Sequence, residues 1–114
     1  MDIKLIATDL DGTFLNSNHL TIPQENIDAF KKAHDMGIKV AIASGRTKIL
    51  TDYLVEQLPF LDYLITSNGA VTYDLHTGQV VCSTLMSNTQ SIEIFNILEC
   101  YNLIYEIYYK GDCY

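Results

Sequence analysis

The chain has 114 residues and a formal net charge of −7, with 48% hydrophobic and 18% charged residues. That balance implies a packed core rather than disorder, and the acidic excess without a basic stripe excludes a nucleic-acid partner. No apolar run approaches the roughly 20 residues that cross a bilayer, and Met1-Asp2-Ile3-Lys4 does not open a signal peptide, so no membrane partner and a cytoplasmic location are expected.

In chain order, residues 3–8 read as a short buried strand. Residues 9–20, rich in Asp, Gly, Asn and Ser, read as loop. Thr21 and Pro23 open a helix whose apolar positions Ile27, Phe30 and Ala33 recur at helical spacing, with Gly37 just past its end. A second strand is predicted at 38–43. A second helix follows at about 47–58, with Ile49, Leu50, Tyr53, Leu54 and Leu58 on one side and Pro59 as its stop. Residues 62–66 give a third strand. Alternation with short connections predicts a parallel sheet with right-handed crossovers.

The pattern changes after residue 70. Residues 70–74 and 79–84 read as a hairpin around His76-Thr77-Gly78. Asn88 begins a helix with the apolar stripe Ile94, Ile97, Leu98 and Tyr101, and residues 103–109 are strand-like. A domain boundary is placed near residue 82. Cys82, Cys100 and Cys113 are far apart and odd in number, which argues for free thiols, some of them buried, over a disulfide framework or a zinc knot. His19, His34 and His76 lack ligand spacing and are expected in exposed or capping roles. Tyr105, Tyr108 and Tyr109, with Tyr101, are expected in a core or half-buried in a complete domain, and Lys110-Gly111-Asp112 is an ordinary turn.

In a parallel sheet ligands gather beyond the carboxyl ends of the strands. The three core strands end in Asp9-Leu10-Asp11-Gly12-Thr13, in Ser44-Gly45-Arg46 and in Ser67-Asn68-Gly69. Two aspartates two positions apart share a face of an extended segment, and they coexist as charged groups when a divalent cation lies between them. Magnesium suits such oxygen ligands and leaves room for a phosphate oxygen. One carboxylate can attack phosphorus while the other handles protons. Ser44 and the backbone beside Gly45 can hold a phosphate, and the Asn68 amide can orient a substrate. Each cluster has an ordinary structural explanation: a turn after a strand, a helix cap by Ser44, a hairpin turn at Asn68-Gly69. Their arrival in register at the ends of three successive strands favours the chemical reading.

The run Thr8-Asp9-Leu10-Asp11-Gly12-Thr13-Phe14-Leu15-Asn16 resembles the first signature of the haloacid dehalogenase (HAD) superfamily. Ala43-Ser44-Gly45-Arg46 resembles its second, and Ser67-Asn68-Gly69-Ala70 resembles a feature of the Cof-type branch, in which a large cap is inserted after the third core strand. The resemblance implies an α/β, three-layer Rossmann-like parallel sheet, incomplete here, at residues 1–82. It is followed by the start of an α+β cap at 83–114.

It further implies a magnesium-dependent phosphatase of small phosphorylated metabolites, working through an aspartyl-phosphate. Asp9 would be nucleophile and metal ligand. Asp11 would be general acid/base, with its backbone carbonyl on the metal. Thr13, Ser44, Gly45, Arg46 and Asn68 would surround the phosphate or the substrate entrance. The lysine and the acidic pair of the family's later signatures are missing from these 114 residues, so a truncated, weakly active or inactive form is expected, with self-association through an exposed edge or the truncated cap. A receiver-like signalling domain is the rival from another class, but its phospho-acceptor ends a later strand, and the third strand here ends in Ser67-Asn68. A relative that only binds a phosphorylated ligand shares the same residues.

Overall fold

Three runs rich in β-branched and aliphatic residues pair side by side. A computed structural model describes residues 2–109 and the backbone of residues 112–113, and in it β1 (Leu5–Thr8), β2 (Lys39–Ala43) and β3 (Tyr63–Thr66) form parallel neighbours. The register sets Thr8 beside Ile42 and Ala43 beside Ile65, so the three strands end close together. The predicted hairpin forms as β4 (Val71–Asp74) and β5 (Val80–Ser83), and it continues the same sheet in antiparallel sense, giving the order β1-β2-β3-β4-β5.

One face of this mixed sheet carries the core. Ile6, Val40, Ile42, Leu64 and Tyr73 lie on it, packed with Leu10, Phe14, Phe30, Leu54, Leu58 and Leu61. The helix α1 (Gln24–Asp35) supplies Phe30, with Ile27 and Ala33 packed beside it. It ends as predicted at Gly37, whose φ of +82° lets its N–H reach the His34 carbonyl at 2.8 Å while Ile38 N–H reaches Ala33 at 3.1 Å. The opposite face is open at β1, where Leu5 is half exposed. Of the three expected layers, the sheet and one helical layer are present in the described residues.

Several expectations are corrected. β1 is a half-exposed edge strand, not a buried one, because its outer side and one face have no neighbour among the described residues. The helix expected over 47–58 shrinks to a single 3-10 turn, Lys48–Leu50, and α2 (Asp52–Val55). At the break the Thr51 hydroxyl bonds back to the Lys48 and Thr47 carbonyls at 2.8 and 3.3 Å, a contact that bends helices. Leu54 and Leu58 still face the core, whereas Ile49, Leu50 and Tyr53 are exposed.

The predicted third helix is present as α3 (Asn88–Cys100), with Ser87 and Gln90 forming a reciprocal capping box. It places no residue in the core, and Ile94, Ile97 and Tyr101 of its stripe face solvent. The strand expected over 103–109 is reduced to β6 (Tyr108–Tyr109), paired with β7 (Asp112–Cys113). Tyr101, Tyr108 and Tyr109 are exposed, as are both described thiols, Cys82 and Cys100. Lys110, Gly111 and Tyr114 lie outside the described residues.

The far end of the sheet holds a feature without a local sequence signal. Asp62 is 0% exposed, and its carboxylate accepts hydrogen bonds from Lys39 Nζ at 2.7 Å, Val40 N–H at 2.9 Å, His76 Nε2 at 3.0 Å and His34 Nδ1 at 3.3 Å. Two of the histidines thus tie α1 and the β4–β5 turn to one buried carboxylate: His76 is exposed as expected, while His34 is half-buried, contrary to the expected exposed or capping role. Burial pushes the Asp62 carboxyl up, but the bonds from Lys39, Val40, His76 and His34 outweigh it and hold the group well below the usual carboxylate range.

A pH-dependent stability follows. A carboxyl with a lowered folded pKa contributes stability above its unfolded value of about 3.9, and the contribution fades as pH falls below that value toward the folded pKa. Asp62→Asn should cost about 2 kcal/mol at pH 7, discounted because Lys39 and His76 are half exposed and rehydrate. Thermal melts from pH 7 to pH 3 should show the gap between the two proteins closing below about pH 4. A gap that persists unchanged at pH 3 contradicts this account.

Candidate active site

The first cluster is shaped by what lies between the two aspartates. Leu10 is fully buried, and anchoring it in the core leaves Asp9 and Asp11 exposed on either side. Both aspartates keep extended backbone, and Gly12 at φ +77° then turns the chain so that Leu15 N–H closes on the Leu10 carbonyl at 3.0 Å. Phe14 and Leu15 re-enter the core directly after the turn.

Backbone hydrogen bonds join the second and third clusters. Ser44 N–H donates to Ile65 at 2.9 Å, Asn68 N–H to the Ser44 carbonyl at 3.2 Å, and Ser67 N–H to the Arg46 carbonyl at 2.9 Å. Asn68 holds a left-handed φ of +55° within the β3–β4 connection, so the hairpin turn and the placement of its amide are one feature. Gly45 is closely approached: a Cβ there would lie 3.0 Å from Asn68 Oδ1, so the carboxamide would have to give by a few tenths of an ångström. No helix starts at Ser44, so neither the expected cap nor a helix N-terminus for phosphate is present. The buried Ser44 hydroxyl oxygen instead accepts from Arg46 N–H at 3.2 Å, which leaves its hydrogen available to a ligand.

These elements bound a cleft of about 290 Å³ lined by Asp9, Ala43, Ser44, Gly45, Ile65, Asn68 and Gly69. Four of the seven residues singled out from the sequence are therefore brought together: Asp9, Ser44, Gly45 and Asn68. Asp11, Thr13 and Arg46 are outside the lining. Thr13 is exposed on the turn.

Asp11 and Arg46 meet each other instead. Arg46 Nε donates to Asp11 Oδ2 at 2.9 Å, and Nη2 donates to Oδ1 at 2.6 Å. His19 Nδ1 bonds the same Oδ1 at 2.9 Å, and a carboxylate partner requires the proton on that nitrogen. Arg46 Nη1 reaches Tyr53 Oη at 3.0 Å, and Nη2 also reaches the His19 carbonyl at 2.9 Å. The hydrogen bonds from Arg46 and then His19 hold the Asp11 carboxyl below the usual carboxylate range, and Asp11 in turn raises the Arg46 guanidinium.

His19 and Tyr53 were not singled out from the sequence. His19 is positioned by a loop in which Asn18 Oδ1 accepts the Leu20 and Thr21 N–H groups at 2.9 and 3.1 Å, and it stands at a left-handed φ of +57°. The asparagines of that loop were the one available signal. Among the described residues no group of three or more His, Cys, Asp or Glu could hold a metal ion, and no helix is long and apolar enough to cross a membrane.

Comparison with known proteins places this geometry. The chain is 46% identical over 74 residues to the 5-amino-6-(5-phospho-D-ribitylamino)uracil phosphatase YcsE of Bacillus subtilis, a match covering 65% of this chain and 29% of that protein. It is 35% identical over 112 residues to the phosphatase YwpJ of the same organism, covering 98% of this chain and 39% of the relative. The structure of a haloacid dehalogenase-like hydrolase from B. subtilis superposes with a TM-score of 0.81 at 34% identity, covering 93% of this chain and 36% of that one. The chain thus spans about a third of the length of the relatives it matches. The model of the family of haloacid dehalogenase-like hydrolases matches residues 6–114, and the chain belongs to that family.

Proposed function

We propose that these residues form the phosphate-holding part of a magnesium-dependent phosphatase that hydrolyses small phosphate monoesters through an aspartyl-phosphate. The observation that carries the reading is the sharing of one cleft by Asp9, Ser44, Gly45 and Asn68. Its volume suits a phosphoryl group better than a large ligand, since pockets for larger molecules run to about 1,000 Å³. The two relatives named as phosphatases support the same class of substrate.

In this reading an Asp9 carboxylate oxygen attacks phosphorus in line, and the bond to the ester oxygen breaks. Asp11 gives that leaving oxygen a proton. Water, losing a proton to Asp11, then attacks the phosphorus of the acyl phosphate and regenerates Asp9. Ser44 donates to a phosphate oxygen through the hydrogen left free by its bond with Arg46 N–H, and Asn68, close against Gly45, orients the substrate. The Asp9 carboxylate and Asp11 backbone carbonyl are oxygen donors, a set that fits magnesium, which keeps several waters of its own. When bound, the metal would offset negative charge on the phosphoryl oxygens. Among the described residues the cleft has no lysine, so weak or undetectable turnover is expected of these 114 residues by themselves.

We assign residues 1–82 to the catalytic core and 83–114 to the start of the cap, because the sheet ends at Ser83 and α3 begins with its own capping box.

Beryllofluoride tests the nucleophile without depending on turnover. With magnesium, ¹⁹F NMR should show a bound species for the wild type and for Asp11→Asn, none for Asp9→Asn, and none after EDTA. A signal retained in Asp9→Asn rules out the assignment. Where aryl phosphate hydrolysis is measurable, Asp11→Asn should lower it by about 10²–10⁴-fold. The exposed side chains Leu85, Met86, Ile94 and Ile97 should make the chain self-associate, so sedimentation should show a concentration-dependent mass, which a strict monomer would refute.

A further inference from the structure

The residue proposed to move protons is held outside the cleft that contains the proposed nucleophile. Both oxygens of Asp11 are engaged, Oδ1 by Arg46 Nη2 and His19 Nδ1 and Oδ2 by Arg46 Nε. Neither can face a leaving group at Asp9 while these bonds last. Arg46 follows directly on Ser44 and Gly45, which line the cleft, so its side chain is tethered next to a site proposed to hold an anion. It is held in its present place from outside: Tyr53 Oη takes Nη1 and the His19 carbonyl takes Nη2. The neighbouring cation Lys48 is committed to Asp52 at 2.7 Å and is no substitute.

We infer that Arg46, His19 and Tyr53 form a clasp that keeps Asp11 withdrawn until a phosphate dianion enters the cleft and draws the Arg46 guanidinium away. The inference rests on the phosphate-site reading above. Arginine forks bind carboxylate and phosphate with the same planar geometry, so a dianion can replace Asp11 without loss of a hydrogen-bonded partner. Exchange of partner then couples substrate arrival to release of the catalytic carboxylate. His19 and Tyr53 act through Arg46 and Asp11 and are positioning residues, whose hydrogen bonds set how much of the protein rests in the closed form. A population held closed lowers the apparent affinity for phosphate in proportion, so weakening the clasp should tighten binding.

NMR titration of the 114-residue chain with inorganic phosphate in magnesium buffer tests this. The amide signals of Ser44, Gly45 and Asn68 report phosphate in the cleft, and the Arg46 Nε–H signal reports the fork. Phosphate should shift the three amides and the Arg46 Nε–H signal together, as the fork changes its acceptor from carboxylate to phosphate. Tyr53→Phe, which removes from the clasp the bond accepted from Arg46 Nη1 and the one donated to the His19 carbonyl, and none from the cleft, should bind phosphate about fivefold more tightly. Amide shifts with an unmoved Arg46 Nε–H signal, or a Tyr53→Phe variant that binds no more tightly, overturn the clasp and leave the phosphate site standing. Amides that do not respond at all overturn both.

Discussion

The site depends on the parallel register of β1, β2 and β3. Pairing Thr8 with Ile42 and Ala43 with Ile65 brings three strand ends to one side of the sheet, where short backbone bonds join the loops that follow. A one-residue slip in any pair would turn the Val40, Ile42 and Leu64 side chains out of the core. Burial therefore enforces the same register that gathers Asp9, Ser44 and Asn68. Core and chemistry are coupled through a single constraint, and Leu10 shows it locally: one buried side chain sets the placement of the two aspartates beside it.

The two ends of the sheet use carboxylates in opposite ways. At the far end Asp62 is buried and surrounded by four donors, a stable arrangement that joins α1, β2 and the β4–β5 turn. At the site end Asp9 lines the cleft and Asp11 is held by partners that are themselves partly exposed. A charge meant to stay fixed is enclosed by donors, while one meant to change partners lies near the surface, where water lowers the cost of exchange.

Beyond β5 the balance changes. α3 has a well-formed start but no residue in the core, and its apolar stripe faces solvent. Local signals form this helix, the reciprocal Ser87–Gln90 cap above all; Phe95, stacked on Tyr105 at 5.8 Å, and Leu98 are half-buried, while Ile94 and Ile97 stay exposed. The same holds for β1, whose outer edge and Leu5 face are open. Because the chain spans about a third of the length of its relatives, the described part is rich in surfaces of a kind that larger domains bury.

The sequence by itself determined the family, the order of elements and the identity of the strand-end clusters. These rest on local features: hydrophobic period, turn residues such as Gly37, and short motifs at the ends of apolar runs. Only the tertiary structure decided the rest. That residues 47–58 break into a 3-10 turn and the short α2 was seen only in the folded backbone, where the Thr51 hydroxyl bonds back to two carbonyls at the break. The roles of His19, His34 and His76 turned on carboxylates 8, 28 and 14 positions away. That Asp11 pairs with Arg46, 35 residues distant, outside the cleft rather than beside Asp9, turned on side-chain hydrogen bonds across two loops. Pattern along a chain reports which face of an element is apolar; it does not report which distant polar group completes a hydrogen bond, because that choice is made only once packing has brought the candidates within about 3 Å.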